Sequence, residues 1–194
     1  MIKVVGLMGS PRIGGNSDML LDAALAGAME AGGSVEKIIV EKLDLHGCRE
    51  CDSCMNAGTC KFRDDMELIY KLIDELDVMI ISSPVFFSGV PGQLKMLIDR
   101  CQCIWARKFI KGEKIGGGKK RVGGILLVGG RERTHFDSLI LTFKTFFISI
   151  DVELMSQLTF ASIDKKAAIL DHPSALKDAK ELGSKLVNLV KKRE

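Results

Sequence analysis

The sequence has no apolar run approaching the roughly 20 residues of a membrane-spanning helix, so no transmembrane segment and no membrane partner are expected. No stretch is low in complexity, no segment repeats, and no linker-like run divides the chain. One ordered domain over residues 1–194 is expected. Charge of one sign is also missing: 28 lysines and arginines face 25 aspartates and glutamates, a net +3. Basic residues are scattered apart from Lys119-Lys120-Arg121 and Lys191-Lys192-Arg193. The second run closes an amphipathic helix, where cations offset the negative end of the dipole, so no nucleic-acid footprint is indicated. The opening MIKVVGLMGS lacks a signal-peptide layout and reads as a strand entering a glycine loop, which points to a soluble, cytoplasmic protein. Cysteine is not lacking. Six are present, and four of them lie in CRECDSCMNAGTC, residues 48–60. In a reducing compartment such spacing favours metal binding or redox chemistry over structural disulfides.

Short apolar runs alternate with amphipathic segments along the whole chain. Strands are expected at 4–8, 35–40, 78–81, 124–128 and 152–158, and helices at 17–31, 66–75, 92–106, 136–150 and 175–192. The third and fourth strands are almost continuously hydrophobic, as befits parallel strands covered on both faces. Strict alternation predicts a doubly wound α/β fold with a five-stranded parallel sheet. Local punctuation agrees. Asp64 and Glu67 form a capping-box pattern, Pro91 suits the first turn of the third helix, and His172-Pro173-Ser174 opens the last. Residues 111–120, with Gly112 and Gly116 to Gly118, read as a mobile surface loop.

Three loops converge on one edge of such a sheet. After the first strand comes GSPRIGGNS, in which Ser10, Arg12, Asn16 and Ser17 stand before a helix N-terminus. Hydroxyls, free amides and a cation there suit an anion. The loop lacks both G-x-x-x-x-G-K-[ST] and G-x-G-x-x-G, which argues against a P-loop nucleotidase or a dinucleotide fingerprint; an ordinary strand-to-helix turn is the plain alternative. The third strand ends in SSPVFFSGVPGQLK. Pro84, Phe86 and Phe87 supply an apolar wall, although either phenylalanine could instead be a core residue, and Ser88-Gly89 supplies backbone donors. In a 2-1-3-4-5 sheet these two loops face one another where the strand order reverses. The fourth strand ends in VGGRERTH. Gly129 and Gly130 permit close backbone approach there, and Arg131, Arg133 and His135 are placed to meet a ligand, solvent or a partner.

GSPR-x-x-GNS, then SPV-x-F-x-G-x-PGQLK-x-x-IDR, then GG after the fourth strand, together resemble the NADPH-dependent FMN reductase family of flavodoxin-like proteins over about residues 1–160. The resemblance implies the flavodoxin-like strand order 2-1-3-4-5 and FMN as cofactor. It implies that Ser10, Arg12, Asn16 and Ser17 hold the FMN phosphate. Pro84, Val85, Phe86, Phe87, Ser88 and Gly89 would line the isoalloxazine and ribityl chain, and Gly129 and Gly130 would close over the ring. Phe86 stands where many relatives have tyrosine, which removes one hydroxyl from the site.

Cys48, Cys51, Cys54 and Cys60 have the spacing C-x2-C-x2-C-x5-C. Two disulfides within thirteen residues would be crowded. Structural zinc usually takes two C-x2-C units well separated in sequence. A [4Fe–4S] cluster suits thiolates wrapped around one compact object, with Gly58 turning the chain back; zinc and free redox thiols remain the alternatives. Cys101 and Cys103, two apart on a helix, are expected as buried packing residues.

This cysteine loop, at 46–63 after the second strand, further resembles the iron–sulfur flavoproteins. That resemblance implies a homodimer or homotetramer in which one chain's cluster approaches another's FMN. The expected function is an FMN- and [4Fe–4S]-dependent oxidoreductase exchanging electrons with a small carrier such as ferredoxin, or with NAD(P)H, and an acceptor. Its catalysis would be carried by the cofactors, with no general base nominated. An NAD(P)H-dependent FMN or quinone reductase without a cluster and a non-catalytic flavin-binding module are the alternatives.

Overall fold

The computed structural model describes residues 1–193. Five strands, β1 (Ile2–Met8), β2 (Gly33–Ile39), β3 (Val78–Pro84), β4 (Arg121–Val128) and β5 (Val152–Phe160), form one parallel sheet in the order β2-β1-β3-β4-β5. This is the flavodoxin-like order, and all five expected strands lie where the sequence places them. Burial explains their composition. Every residue of β4 and all but the last of β3 are buried, whereas the edge strands β2 and β5 expose alternate or partly covered positions.

The helices among the described residues are α1 (Asn16–Glu30), α2 (Ser53–Ala57), α3 (Met66–Glu75), α4 (Gly92–Arg100), α5 (Gln102–Phe109), α6 (Asp137–Ser149) and α7 (Ala175–Lys191). α1 and α7 cover one face of the sheet, through Leu20, Leu21, Leu182 and Leu186. α3 to α6 cover the other, through Ile69, Leu94, Ile104 and Phe143. In α7 the buried Ala175, Ala179, Leu182, Leu186 and Val190 recur at helical spacing and form its inner stripe. Each fully buried Leu or Phe contributes about 1.5–3 kcal/mol of transfer free energy, so the two apolar layers fix which strand ends gather at the functional edge.

Three local expectations are corrected. The third helix does not run unbroken over 92–106 but divides at Cys101 into α4 and α5. The Cys101 N–H bonds to the Ile98 carbonyl at 3.0 Å, tightening the last turn. The freed Arg100 carbonyl accepts the Tyr70 hydroxyl at 2.9 Å. The loop at 111–120 is anchored rather than free. Ile115 is fully buried and its N–H donates to Asp151 at 3.1 Å. Only half of the capping box forms. Asp64 Oδ1 accepts the Met66 N–H at 3.2 Å, but Glu67 turns away to pair with Arg63 at 3.0 Å.

Candidate functional site

The first part of the site is built on the carboxyl ends of β1, β3 and β4. The Gly9 N–H donates to the Ser82 carbonyl at 2.8 Å, and Ser82 Oγ donates to the Ser17 carbonyl at 2.7 Å. These bonds lock the loop after β1 against β3 at the point where strand order reverses. Ser10 and Ser17 are buried, and Ser10 Oγ accepts the Arg12 N–H at 3.1 Å. The first intrahelical bond of α1 runs from the Met19 N–H to the Gly15 carbonyl at 3.0 Å. The N–H groups of Asn16, Ser17 and Asp18 precede it, so they lie at the positive end of the helix as unfilled donors. The Arg12 guanidinium is exposed and has no carboxylate partner among the described residues.

The loop after β3 begins with the Val85 N–H bonded to the Val128 carbonyl at 2.9 Å, then folds into a two-residue hairpin. Phe86 and Gly89 exchange both backbone bonds at 2.9 and 2.8 Å. Phe87 and Ser88, at its tip, have φ values of 47° and 59°. Positive φ at both central residues is the primed turn geometry, which ordinarily selects Asn and Gly. A phenylalanine held there is strained by about 1–3 kcal/mol. Neither phenylalanine is a core residue. Phe86 is 42% exposed and Phe87 fully so, against the alternative that one of them packs inside. The Ser138 hydroxyl donates to the Ser88 carbonyl, tying the hairpin to α6. Beyond β4, a β-carbon on Gly129 would fall 2.3 Å from the Thr134 side chain, so only glycine fits. The Ser10, Arg12, Asn16 and Ser17 loop, the Pro84–Gly89 loop and the Gly129–Gly130 turn thus share one edge of the sheet.

The second part of the site is the cysteine loop. α2 carries Cys54 and is bracketed by left-handed residues, Asp52 (φ 56°) and Gly58 (φ 71°), with Glu50 (φ 46°) just before. These reversals curl residues 48–60 back on themselves. All six cysteines are free thiols, which removes the disulfide option. All six also line a single cavity of about 700 Å³ between the loop, the α4–α5 junction and α6. Cys101 and Cys103 are buried as expected, but the break in the helix places both of them on the cavity wall. Hydrogen bonds from the Ser53 backbone N–H and hydroxyl hold the Cys51 thiol below its ordinary value, and the Lys61 charge acts the same way. Burial pushes the Cys54 thiol up, and the neighbouring Cys48, Cys60 and Cys51 add to this. Phe62 collects cations: Arg49, Lys61 and Arg100 lie 5.3, 5.6 and 5.2 Å from its ring.

The base of this loop is closed by a pair that composition alone does not reveal. Arg100 donates to both carboxylate oxygens of Asp64, at 2.6 and 3.0 Å, and both side chains are almost wholly buried. Burial works to raise the Asp64 carboxyl. The Arg100 hydrogen bonds, with the His46 and Met66 N–H groups, outweigh it and hold the group below the usual carboxylate range.

A family model described as NADPH-dependent FMN reductase matches residues 2–162. The chain belongs to the NADPH-dependent FMN reductase family. Within it, the chain is similar to an iron–sulfur flavoprotein of Methanocaldococcus jannaschii at 35% identity, over 76% of this chain and 72% of that one. An iron–sulfur flavoprotein of Archaeoglobus fulgidus is 40% identical over 116 residues, 60% of this chain and 52% of the relative, so the aligned part spans about half of that protein. These likenesses put this reductase-family chain among the iron–sulfur flavoproteins. A solved flavone reductase shares the fold with a TM-score of 0.77 at 20% identity, covering 98% of this chain and 63% of that one.

The residues present fit the cofactors that such a family member implies. The unfilled N–H donors of α1, the two buried serines and the unpaired Arg12 suit the phosphate of FMN. Four free thiols curled around one cavity, with Arg49 and Lys61 nearby, suit a thiolate-ligated cluster carrying negative charge. Among the described residues, no three His, Cys, Asp or Glu side chains converge closely enough to hold a single metal ion.

One expected phosphate ligand has another task. Both ends of the Asn16 amide are engaged: Nδ2 donates to the Lys165 carbonyl at 2.9 Å and Oδ1 accepts the Ile169 N–H at 3.2 Å. Asn16 therefore ties the loop after β1 to the segment after β5. Motif reading missed that segment, because its partners lie about 150 residues away in sequence. Arg131, Arg133 and His135 remain exposed at the same edge.

Proposed function

We propose that this protein is a flavin-dependent oxidoreductase that binds FMN at the β1, β3 and β4 edge and a [4Fe–4S] cluster through Cys48, Cys51, Cys54 and Cys60. The observation that carries the cluster reading is the set of four free thiols in one curled loop facing one cavity. FMN exchanges a hydride for single electrons and a [4Fe–4S] cluster carries one electron at a time, so the pair would convert between two-electron and one-electron carriers. The chain's own residues do the positioning. Ser10, Arg12, Ser17 and the N-terminal amides of α1 hold the phosphate. Val85, Phe86, Phe87, Ser88 and Gly89 wall the ring, and Gly129 and Gly130 let backbone approach it. Arg49 and Lys61, set against Glu50 and Asp52, tune the local potential around the thiolates, while the Arg100 charge is matched by Asp64.

A small one-electron carrier such as ferredoxin is the proposed partner on the cluster side. NAD(P)H as direct donor is the second reading, favoured by the family description. Association of copies as a homodimer or homotetramer would bring one chain's cysteine loop toward another's flavin. Replacing Cys51 with Ala tests the reading. The variant should lose cluster absorbance and paramagnetic signals while retaining FMN. Anaerobic mixing then separates the donors: flavin reduction by reduced ferredoxin but not by NADPH supports the carrier, and the reverse supports the nucleotide.

A further inference from the structure

The segment that follows β5 crosses back over the sheet edge and is fixed at both ends. The Ile163 N–H donates to the Gly129 carbonyl at 2.9 Å and the Ser162 N–H to the Arg131 carbonyl at 3.2 Å. At the far end Ile169 is fully buried, and the Asn16 amide grips Lys165 and Ile169 at 2.9 and 3.2 Å. Between these anchors the chain turns through Ala167, a non-glycine residue at φ 65°. One residue earlier, the Lys166 side chain lies against the phosphate loop. A methyl group placed on Gly14 would stand 3.6 Å from Lys166 Cε and 3.7 Å from its Nζ.

The local charges explain why a cation matters there. Asp18, buried in the first turn of α1, accepts the Gly14 N–H at 2.7 Å and places a carboxylate beside the anion site. Lys37 lies 2.6 Å from Asp18 and 2.5 Å from Asp22, so its charge is already matched. Lys166, like Arg12, has no carboxylate partner among the described residues. Its backbone is held by the bonds on either side, so only the lysine side chain has to order for it to act.

We propose that Lys166 is a phosphate-selecting residue, supplied by the segment 162–169, that makes this protein prefer FMN over unphosphorylated riboflavin. The inference rests on the flavin reading above and adds a determinant from a part of the chain outside the three strand-end loops. An ammonium meeting a phosphate dianion at a helix N-terminus adds a charge-assisted contact that riboflavin cannot make.

The test is flavin binding by apoprotein, followed by quenching of flavin fluorescence, for wild type, Lys166→Ala and Lys166→Arg. Lys166→Ala should weaken FMN by about tenfold, leave riboflavin affinity within twofold, and flatten the salt dependence of FMN binding. Lys166→Arg should restore most of the preference. Equal FMN affinity in wild type and Lys166→Ala, or equal losses for FMN and riboflavin, would overturn the assignment. Wild-type protein that binds neither flavin would overturn the flavin reading itself, a result distinguishable from the other two.

Discussion

Arg100 and Asp64 form a two-pronged ion pair at 2.6 and 3.0 Å, and together they grip residue 46. The Arg100 guanidinium donates to the His46 carbonyl at 2.8 Å, and the His46 N–H donates to Asp64 at 3.2 Å. The two ends of the cysteine loop are thereby held together by one buried pair. Arg100 also lies over Phe62, inside the loop, so neck and interior share a residue. A loop closed in this way loses less entropy on gathering its thiols than an open one would.

Asp64→Asn should be strongly destabilising, because it leaves Arg100 buried without its counter-charge. Loss of one partner of a buried pair costs about 3–5 kcal/mol. For a domain of this size the melting temperature should fall by roughly 6–20 °C. Alkylation of Cys54 and Cys60 should quicken in the same variant. An unchanged melting temperature would show that the pair does not hold the neck.

The same pair predicts an acid response. The Asp64 carboxyl is held below its ordinary value in the folded state. Its stabilising contribution is therefore complete above the unfolded carboxylate pKa, about 3.9, and is lost as pH falls through the lower folded value. Wild type should keep a closed loop through mildly acidic pH and lose it only in stronger acid. Cysteine-loop hydrogen exchange measured from pH 7 downward checks this, and Asp64→Asn should lack the acid step.

Gly129→Ala should impair flavin retention, since the added methyl would fall 2.3 Å from Thr134 and push the turn after β4 outward. Purified variant should carry less FMN per chain than wild type while its far-ultraviolet spectrum stays the same. Full flavin content would contradict a role for this close approach.

Phe87→Gly should raise stability and lower turnover together. Glycine relieves the positive φ at the hairpin tip, a strain of about 1–3 kcal/mol, partly offset by its larger unfolded-state entropy. The exposed ring is lost from the proposed flavin edge, so reduction of the acceptor should slow. A variant that melts lower than wild type would contradict the strain argument.

Much of the fold was legible in the sequence because it rests on local patterns. Continuous apolar runs at 78–81 and 124–128 mark doubly covered strands, and their alternation with amphipathic segments leaves few sheet orders, among which the family resemblance of the loop motifs selects 2-1-3-4-5. The cysteine spacing was legible as a thiol loop for the same reason. What was not legible depends on distant partners. The break at Cys101 leaves the Arg100 carbonyl to the Tyr70 hydroxyl, a partner thirty residues away. The capture of Asn16 by residues 165–169, and the arrival of Lys166 at Gly14, depend on where β5 delivers the chain. No spacing rule reports such contacts. Cys101 and Cys103 illustrate the boundary: their burial follows from residue type, whereas their place on the wall of the cysteine cavity accompanies a helix that ends at Arg100 and restarts at Gln102, between them.

The four thiols of the 48–60 loop are proposed to hold an iron–sulfur cluster beside the sheet edge proposed for FMN. Iron, zinc and acid-labile sulfide per chain, measured on anaerobically purified protein alongside FMN, test it most directly. About four irons and four sulfides per chain, with negligible zinc, are expected. Stoichiometric zinc, or four freely alkylated thiols with no iron, would contradict it.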